Sequence, residues 1–144
     1  MDPDIKRDFP SLTEDNHKEL SPVDFNYNCL AFVLGDTHNW WEPSGLGFYW
    51  PPGFREDTTV ETVVSILKVH GYTIEVDVDV TPDSEAVAVY AEGNEWAHFA
   101  RFAGGMWTSK LGRGKDVSHL RLEDLEGKKY GTVARILMRP RQGS

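Results

Sequence analysis

The residue best suited to nucleophilic chemistry is Cys29, the only cysteine of the chain. It opens the apolar segment 29–34, which favours a short buried helix, although a strand fits the same run. An unperturbed thiol is mostly protonated at neutral pH, so a nucleophilic cysteine needs a helix N-terminus, a histidine, or both. If the segment is a helix, its first-turn N–H groups favour a thiolate at Cys29 and can hold an oxyanion.

The expected base is His98, which begins the predicted strand 98–103. Gly104 and Gly105 favour a two-residue hairpin turn. In that register His98 and Ser109 share one mainly apolar face as diagonal neighbours, roughly 7–8 Å apart. Ser109 would then orient the imidazole directly or through a water molecule.

The other face of the predicted hairpin carries Arg101 and Lys110, which are expected to be solvated charges. Asp116 and His119 flank a following loop, where solvated side chains are the simpler interpretation. Both residues are nevertheless alternatives to Ser109 for holding the imidazole. The third member of a catalytic group therefore stays open at this point.

Structural roles compete with each of these chemical roles. Cys29 could be a buried thiol among apolar neighbours, and a histidine such as His98 often belongs to a core or a sheet edge. A metal site built from Cys29, His98, Asp116 and His119 is chemically possible, but the sequence has no close-spaced ligand pair such as H-x-x-x-H. We therefore expect no metal and no cofactor.

An aromatic segment over residues 35–53 follows the apolar run and has no helical or strand period. Its tryptophans are Trp40, Trp41 and Trp50. A long loop in a small domain is usually functional, and these rings could wall a substrate cleft. They could equally pin the loop to the core.

The regular elements that would position these residues follow from hydrophobic periodicity. Val60, Val63, Val64 and Leu67 mark one face of a helix over 58–71, with Thr58 and Thr59 as candidate N-caps. Alternation predicts strands over 72–80, 86–91, 97–103, 106–111 and 132–138, with a short turn or helix near 120–125. Helical segments followed by an antiparallel sheet are typical of an α+β fold.

Composition limits the possible classes of protein. The 144 residues carry a net charge of −8, and one cysteine permits neither an intrachain disulfide nor a four-thiolate metal site. The absence of a basic stripe argues against nucleic acid, and the absence of a long apolar run argues against a membrane partner. Without a signal sequence we expect a cytoplasmic protein, with export by a specialised secretion system left open.

Several separated motifs resemble an uncharacterised bacterial domain family over about residues 22 to 140. The motifs are Asn26-Tyr-Asn-Cys-Leu-Ala-Phe, Trp40-Trp-Glu-Pro, Tyr49-Trp-Pro, His98-Phe-Ala-Arg, Gly105-Met-Trp-Thr-Ser-Lys-Leu-Gly112, Asp116-Val-Ser-His119, Tyr130-Gly-Thr-Val and Met138-Arg-Pro. That family is similar in order to papain-like and NlpC-type cysteine peptidases. The resemblance implies a nucleophile-bearing helix packed on an antiparallel sheet, with Cys29 as nucleophile and His98 as base. Ser109 departs from it, because the cell-wall peptidases usually carry His, Asn or Gln there.

The resulting hypothesis is a cysteine-dependent hydrolase or acyl transferase acting on an amide bond. Its substrate would be a peptide, an isopeptide, a peptidoglycan stem peptide or a glutamine side chain, and a toxin or effector role would fit. The Cys29 N–H, helped by Asn28 or Asn26, would stabilise the oxyanion. The alternative is a non-catalytic protein-binding module that uses the Trp-rich loop and the acidic surface.

The predicted organisation has three parts. Residues 1–22 form an irregular N-terminal arm, residues 23–140 form a single papain-like catalytic domain, and residues 141–144 form a tail. The expected partner is a peptide or protein substrate. A cognate partner or inhibitor protein stays open as a second kind of partner.

Overall fold

One antiparallel sheet dominates the part of the chain that a computed structural model describes, namely residues 3–20, 26–36, 38–43, 48–76, 80–111 and 116–140. Its strands there are β1 (His17–Glu19), β2 (Ile74–Val76), β3 (Ser84–Glu92), β4 (Glu95–Ala103), β5 (Met106–Lys110), β6 (Asp116–His119) and β7 (Thr132–Pro140). Across the sheet they lie in the order β1-β6-β5-β4-β3-β7-β2. Strand β4 therefore occupies the centre.

The helices of the described residues are short compared with the sheet. They are α1 (Pro3–Asp8), α2 (Cys29–Val33), α3 (Val60–Val69) and a 3-10 helix (Leu122–Leu125). The predicted papain-like, NlpC-type α+β fold is therefore wrong, because a seven-stranded sheet dominates and the segment beginning at Cys29 supplies only a five-residue helix. The predicted fold and the observed fold both have helices before most of their strands along the chain, so the order of elements could not distinguish them. No described helix is long and apolar enough to cross a membrane.

Helix α3 confirms the predicted helix and lies within the predicted limits of 58–71. The Thr59 hydroxyl caps it by accepting a hydrogen bond from the Thr62 N–H. The predicted apolar positions are all buried. After His70 the chain leaves the helix at Gly71, whose positive φ of 93° suits glycine.

The β4–β5 hairpin confirms the predicted register. Gly104 and Gly105 have φ values of 62° and 79°, as a type I′ turn requires at both central positions. Ala100 pairs with Ser109. Because side chains alternate between faces, His98 and Ser109 do share one face of the sheet.

Both faces of the sheet are covered by apolar residues. The first core lies between the sheet and helices α2 and α3, and it contains Cys29, Val87 and Phe99. The second core lies on the opposite face and contains Phe9, Tyr90 and further side chains from the N-terminal segment and from β7. Central strands such as β3 are consequently buried on both sides.

Three segments differ from their predictions. The expected irregular arm over 1–22 contains helix α1 and edge strand β1, and its Ile5, Phe9 and Leu12 are buried in the second core. Asp116 and His119, expected to flank a loop, are the two ends of strand β6. The strand expected over 72–80 is described only as β2, with residues 77–79 outside the described ranges, and Ile74 is exposed because β2 is a sheet edge. The predicted tail 141–144 also lies outside the described residues.

Candidate functional site

Cys29 is the first residue of α2 and is buried in the first core. The helix begins there because the Asn28 side-chain oxygen accepts a hydrogen bond from the Ala31 N–H at 3.2 Å. Burial raises the pKa of the Cys29 thiol to about 11, against smaller opposing effects from backbone hydrogen bonds and the Lys110 charge. The thiol is therefore protonated at neutral pH.

The structure does not bring Cys29 and His98 together. Cys29 packs in the same core as Phe99, whereas the neighbouring His98 stacks on Tyr130 in the second core. Adjacent residues of a strand point to opposite faces, so the sheet itself separates the thiol from the imidazole. The predicted Cys29–His98 pair is thus not present in this arrangement.

Lys110, whose charge acts on the Cys29 thiol, lies on the first-core face of the sheet together with Asp116 and Tyr27. Lys110 and Asp116 are directly opposite each other on β5 and β6. The Tyr27 hydroxyl donates a hydrogen bond to Asp116 Oδ2 at 2.7 Å, and Lys110 Nζ lies 4.9 Å from the centroid of the Tyr27 ring. We call these three residues the charged cluster.

The charged cluster corrects two expectations. Lys110 is fully buried rather than solvated, and Asp116 is buried as well. Arg101, on the same face, is partly buried and pairs with Glu85 at 2.8 Å. The alternation of β5 predicted which face Lys110 occupies, but nothing in the sequence indicated that α2 and Tyr27 cover that face.

The charged cluster gives a stability prediction. Replacing Asp116 by alanine should lower the free energy of unfolding by about 3 kcal/mol, because the Tyr27 hydroxyl loses its acceptor and the buried Lys110 ammonium loses a nearby negative charge. Tyr27→Phe removes only the hydrogen bond and should cost about 1 kcal/mol. Urea unfolding at neutral pH measures both. Equal losses for the two variants would show that the Lys110 charge does not depend on Asp116.

Ser109 and His119 form a hydrogen-bonded pair on the other face. Ser109 Oγ and His119 Nε2 are 2.8 Å apart, and His119 Nδ1 lies 3.1 Å from the Arg121 carbonyl oxygen. Since that carbonyl can only accept, Nδ1 carries the hydrogen and Nε2 accepts from the Ser109 hydroxyl. Burial lowers the pKa of His119, while the Arg121 carbonyl and Asp124 oppose the shift.

A hydroxyl beside a neutral imidazole is chemically a nucleophile and a base. Here, however, Ser109 is fully buried and His119 is only 2% exposed. The arrangement therefore satisfies two polar side chains in the second core. Ser109 accordingly pairs with His119, which was predicted as a rival candidate, and not with His98.

Asn28 and Trp41, both predicted to bind substrate, together fix the backbone of the aromatic segment. Asn28 Nδ2 donates to the Trp41 carbonyl at 2.7 Å, and the Trp41 N–H donates to Asn28 Oδ1 at 3.2 Å. The Trp41 indole N–H donates to Asp36 Oδ2 at 2.8 Å. The Trp41 side chain is buried in the first core, so both residues support the loop from inside.

The outer side of the same segment displays aromatic rings. Trp40 and Trp50 are partly buried, whereas Phe48 is 38% exposed and Tyr49 is 42% exposed. The Trp40 and Phe48 ring centroids are 6.0 Å apart. We call these four residues the aromatic surface. Sequence reasoning did not name Phe48 or Tyr49 as binding residues, although both stand beside Trp50 in a segment without period.

Two further sequence-based candidates were a metal site and an oxyanion contact from Asn26, and neither is formed by the described residues. No group of three His, Cys, Asp or Glu side chains in those ranges is arranged to hold a metal ion. Asn26, the second candidate for an oxyanion contact, is exposed just before α2. The described residues therefore offer a supported aromatic surface and, separately, a buried charged cluster.

The chain was also compared with known proteins. The sequence model of one family, described as a domain of unknown function (DUF7689), matches residues 18–138. No curated protein and no solved structure matches the chain. This confirms the resemblance to an uncharacterised domain family, while nothing links that family to papain-like or NlpC-type peptidases. Because the match spans most of the chain, the protein belongs to the DUF7689 family.

Proposed function

We propose that this protein is a non-catalytic protein-binding module that contacts its partner through the aromatic surface. The observation that carries the proposal is the exposure of Phe48 and Tyr49 on a backbone held in place from inside. The Tyr49 N–H donates to the Trp40 carbonyl at 2.9 Å, and the Glu42 N–H donates to the Tyr49 carbonyl at 3.0 Å. These bonds join the two limbs of the loop.

A fixed backbone matters because binding costs less when the contact residues are already ordered. Exposed aromatic rings are also the side chains that most often dominate binding energy at protein interfaces. The Trp50 indole N–H donates to the Arg55 carbonyl at 2.9 Å, which anchors the far end of the loop. Rings that served only to pin the loop would not need to leave Phe48 and Tyr49 open to solvent.

The charge around the aromatic surface favours a cationic partner. Over residues 36–61 the sequence has five carboxylates and one arginine, and the whole chain carries −8. Glu42 adjoins the aromatic surface and is partly buried, while Glu56 is exposed. Lysine and arginine side chains bind both carboxylates and aromatic faces. The partner is therefore a protein segment rich in lysine or arginine.

Peptide binding tests this function. We expect the purified protein to bind synthetic peptides containing lysine, arginine and apolar residues more tightly than peptides with glutamate at the basic positions. Tyr49→Ala should weaken binding at least about tenfold, because it removes the more exposed of the two open rings of the aromatic surface. Isothermal titration calorimetry with parent and variant measures the change.

Met106→Ala is the matched control, since Met106 is 46% exposed on β5 and lies outside the aromatic surface. It should bind like the parent. If Tyr49→Ala also binds like the parent, or if binding follows net peptide charge alone and disappears equally in salt for both variants, the aromatic surface is not the binding site.

Cysteine-dependent attack on an amide bond is the second candidate, supported by one observation. The positive charge of Lys110 on the face of Cys29 acts to lower the pKa of the thiol, although burial outweighs it. A catalytic role would need the first core to open and expose Cys29. Thiol reactivity separates the two functions, because the binding module does not require a reactive Cys29.

A further inference from the structure

His98 is an unusual buried residue. It is fully buried, and neither ring nitrogen has a hydrogen-bond partner in the described part of the chain. A buried polar atom without a partner costs about 1–3 kcal/mol, so such a group calls for an explanation. Burial, with a smaller effect from His119, holds the pKa of His98 well below its ordinary value of 6.5. The imidazole is therefore neutral in the folded protein.

His98 is covered by a stack of aromatic rings that leads to the N-terminal segment. Its ring lies 3.9 Å from that of Tyr130, with 3° between the planes, and the Tyr130 ring lies 4.9 Å from that of Phe9. We call these three residues the aromatic stack. Tyr130 belongs to the turn 127–131, and Phe9 directly follows α1. The stack therefore joins the central strand β4 to two peripheral segments.

The groups that face His98 offer little to a charged imidazole. Tyr90 on β3 lies 5.3 Å away between ring centroids, and its hydroxyl already donates to the Leu122 carbonyl at 2.6 Å. From β6, His119 opposes a positive charge on His98. The carboxylates that act on the Tyr90 hydroxyl belong to Glu123, Asp124 and Glu126. Neither of the two aromatic rings beside His98, Tyr90 and Tyr130, carries a negative charge near neutral pH.

We propose that the aromatic stack is an acid-sensitive latch, in which protonation of His98 displaces Tyr130 and releases the segment 3–12 and the turn 127–131 from the second core. An imidazolium needs water or an acceptor, and the ring stacked directly on His98 is that of Tyr130, which in turn contacts Phe9. The latch goes beyond the proposed binding function, because it lies on the face of the sheet opposite to the first core that supports the aromatic surface.

The direction of the pH effect follows from the lowered pKa. The closed stack keeps its full stability well above pH 6.5, where His98 is neutral whether the stack is open or closed. As the pH falls below that value, the open form binds a proton that the closed form does not. The ratio of open to closed forms then rises by up to about tenfold per pH unit for this one residue.

Hydrogen–deuterium exchange between about pH 8 and about pH 5 tests the latch. After correction for intrinsic exchange rates, peptides from 3–12 and 127–131 should lose protection in acid before those from β3 and β4. His98→Phe keeps an aromatic ring without a titrating group. The number of protons taken up on opening, given by the pH dependence of the opening equilibrium, should therefore fall by about one. The control His38→Gln changes an exposed histidine and should behave like the parent.

An unchanged pH slope in His98→Phe would overturn the latch, as would loss of protection in all strands at the same pH. If His98→Phe does not fold, the ring protons of His98 in the parent can be followed by NMR. Protonation of His98 while 3–12 stays protected would equally refute the proposal. Peptide binding by the aromatic surface is a separate measurement, so either proposal can fail without the other.

Discussion

Cys29 is expected to react with iodoacetamide at least about a hundredfold more slowly in the folded protein than in the same protein unfolded in guanidinium. Burial raises the pKa of the thiol from 9.0 to about 11, so the thiolate fraction at neutral pH falls about a hundredfold. The thiolate is the reactive species, and the first core further limits access to it. The folded rate should rise as the pH is increased towards 11.

Mass spectrometry of samples quenched over time measures this rate, and the unfolded protein is its internal control. Labelling of the folded protein as fast as that of the unfolded protein would contradict the buried, protonated thiol. It would also favour the cysteine-dependent hydrolase over the binding module. In that case Lys110→Met would show whether the lysine activates the thiol. Slower labelling in the variant would mean that the positive charge increases the reactivity of Cys29.

Gly131→Ala is expected to destabilise the fold by about 3 kcal/mol or more. Gly131 has φ of 71°, and a Cβ built there lies 2.8 Å from the Ala91 carbonyl carbon and closer still to its oxygen. Backbone of the central β3 cannot move aside as a flexible side chain could. Left-handed strain of about 1–2 kcal/mol therefore adds to a steric clash of similar or greater size.

Gly105→Ala provides the matched control. Gly105 also has positive φ, at 79°, but a Cβ there meets nothing within 4 Å. Its cost should be limited to the strain of about 1 kcal/mol. Denaturant unfolding of the two variants gives the comparison. Equal losses would mean that the turn 127–131 does not pack closely on Ala91.

Local sequence rules determined the elements that depend on near neighbours. Thr59 and the apolar spacing predicted α3, and Gly104 with Gly105 predicted the register of the β4–β5 hairpin. Both follow from capping, periodicity and turn conformation, which act over a few residues. Strands β1 and β6 were not predicted, because both are short and they pair with each other across about 100 residues of chain, although β6 also pairs with the preceding β5.

The sequence also restricted the candidate chemistry to one thiol and a few histidines, but only the tertiary structure decided which of them meet. Alternation along β4 put His98 and Phe99 on opposite faces, and the packing of α2 selected the face of Phe99 for Cys29. A period of two tells which residues share a face, not which element covers it. Both faces of this sheet are covered by other elements. The strand pattern alone therefore could not tell whether Cys29 would lie on the face of His98 or on the face of Lys110.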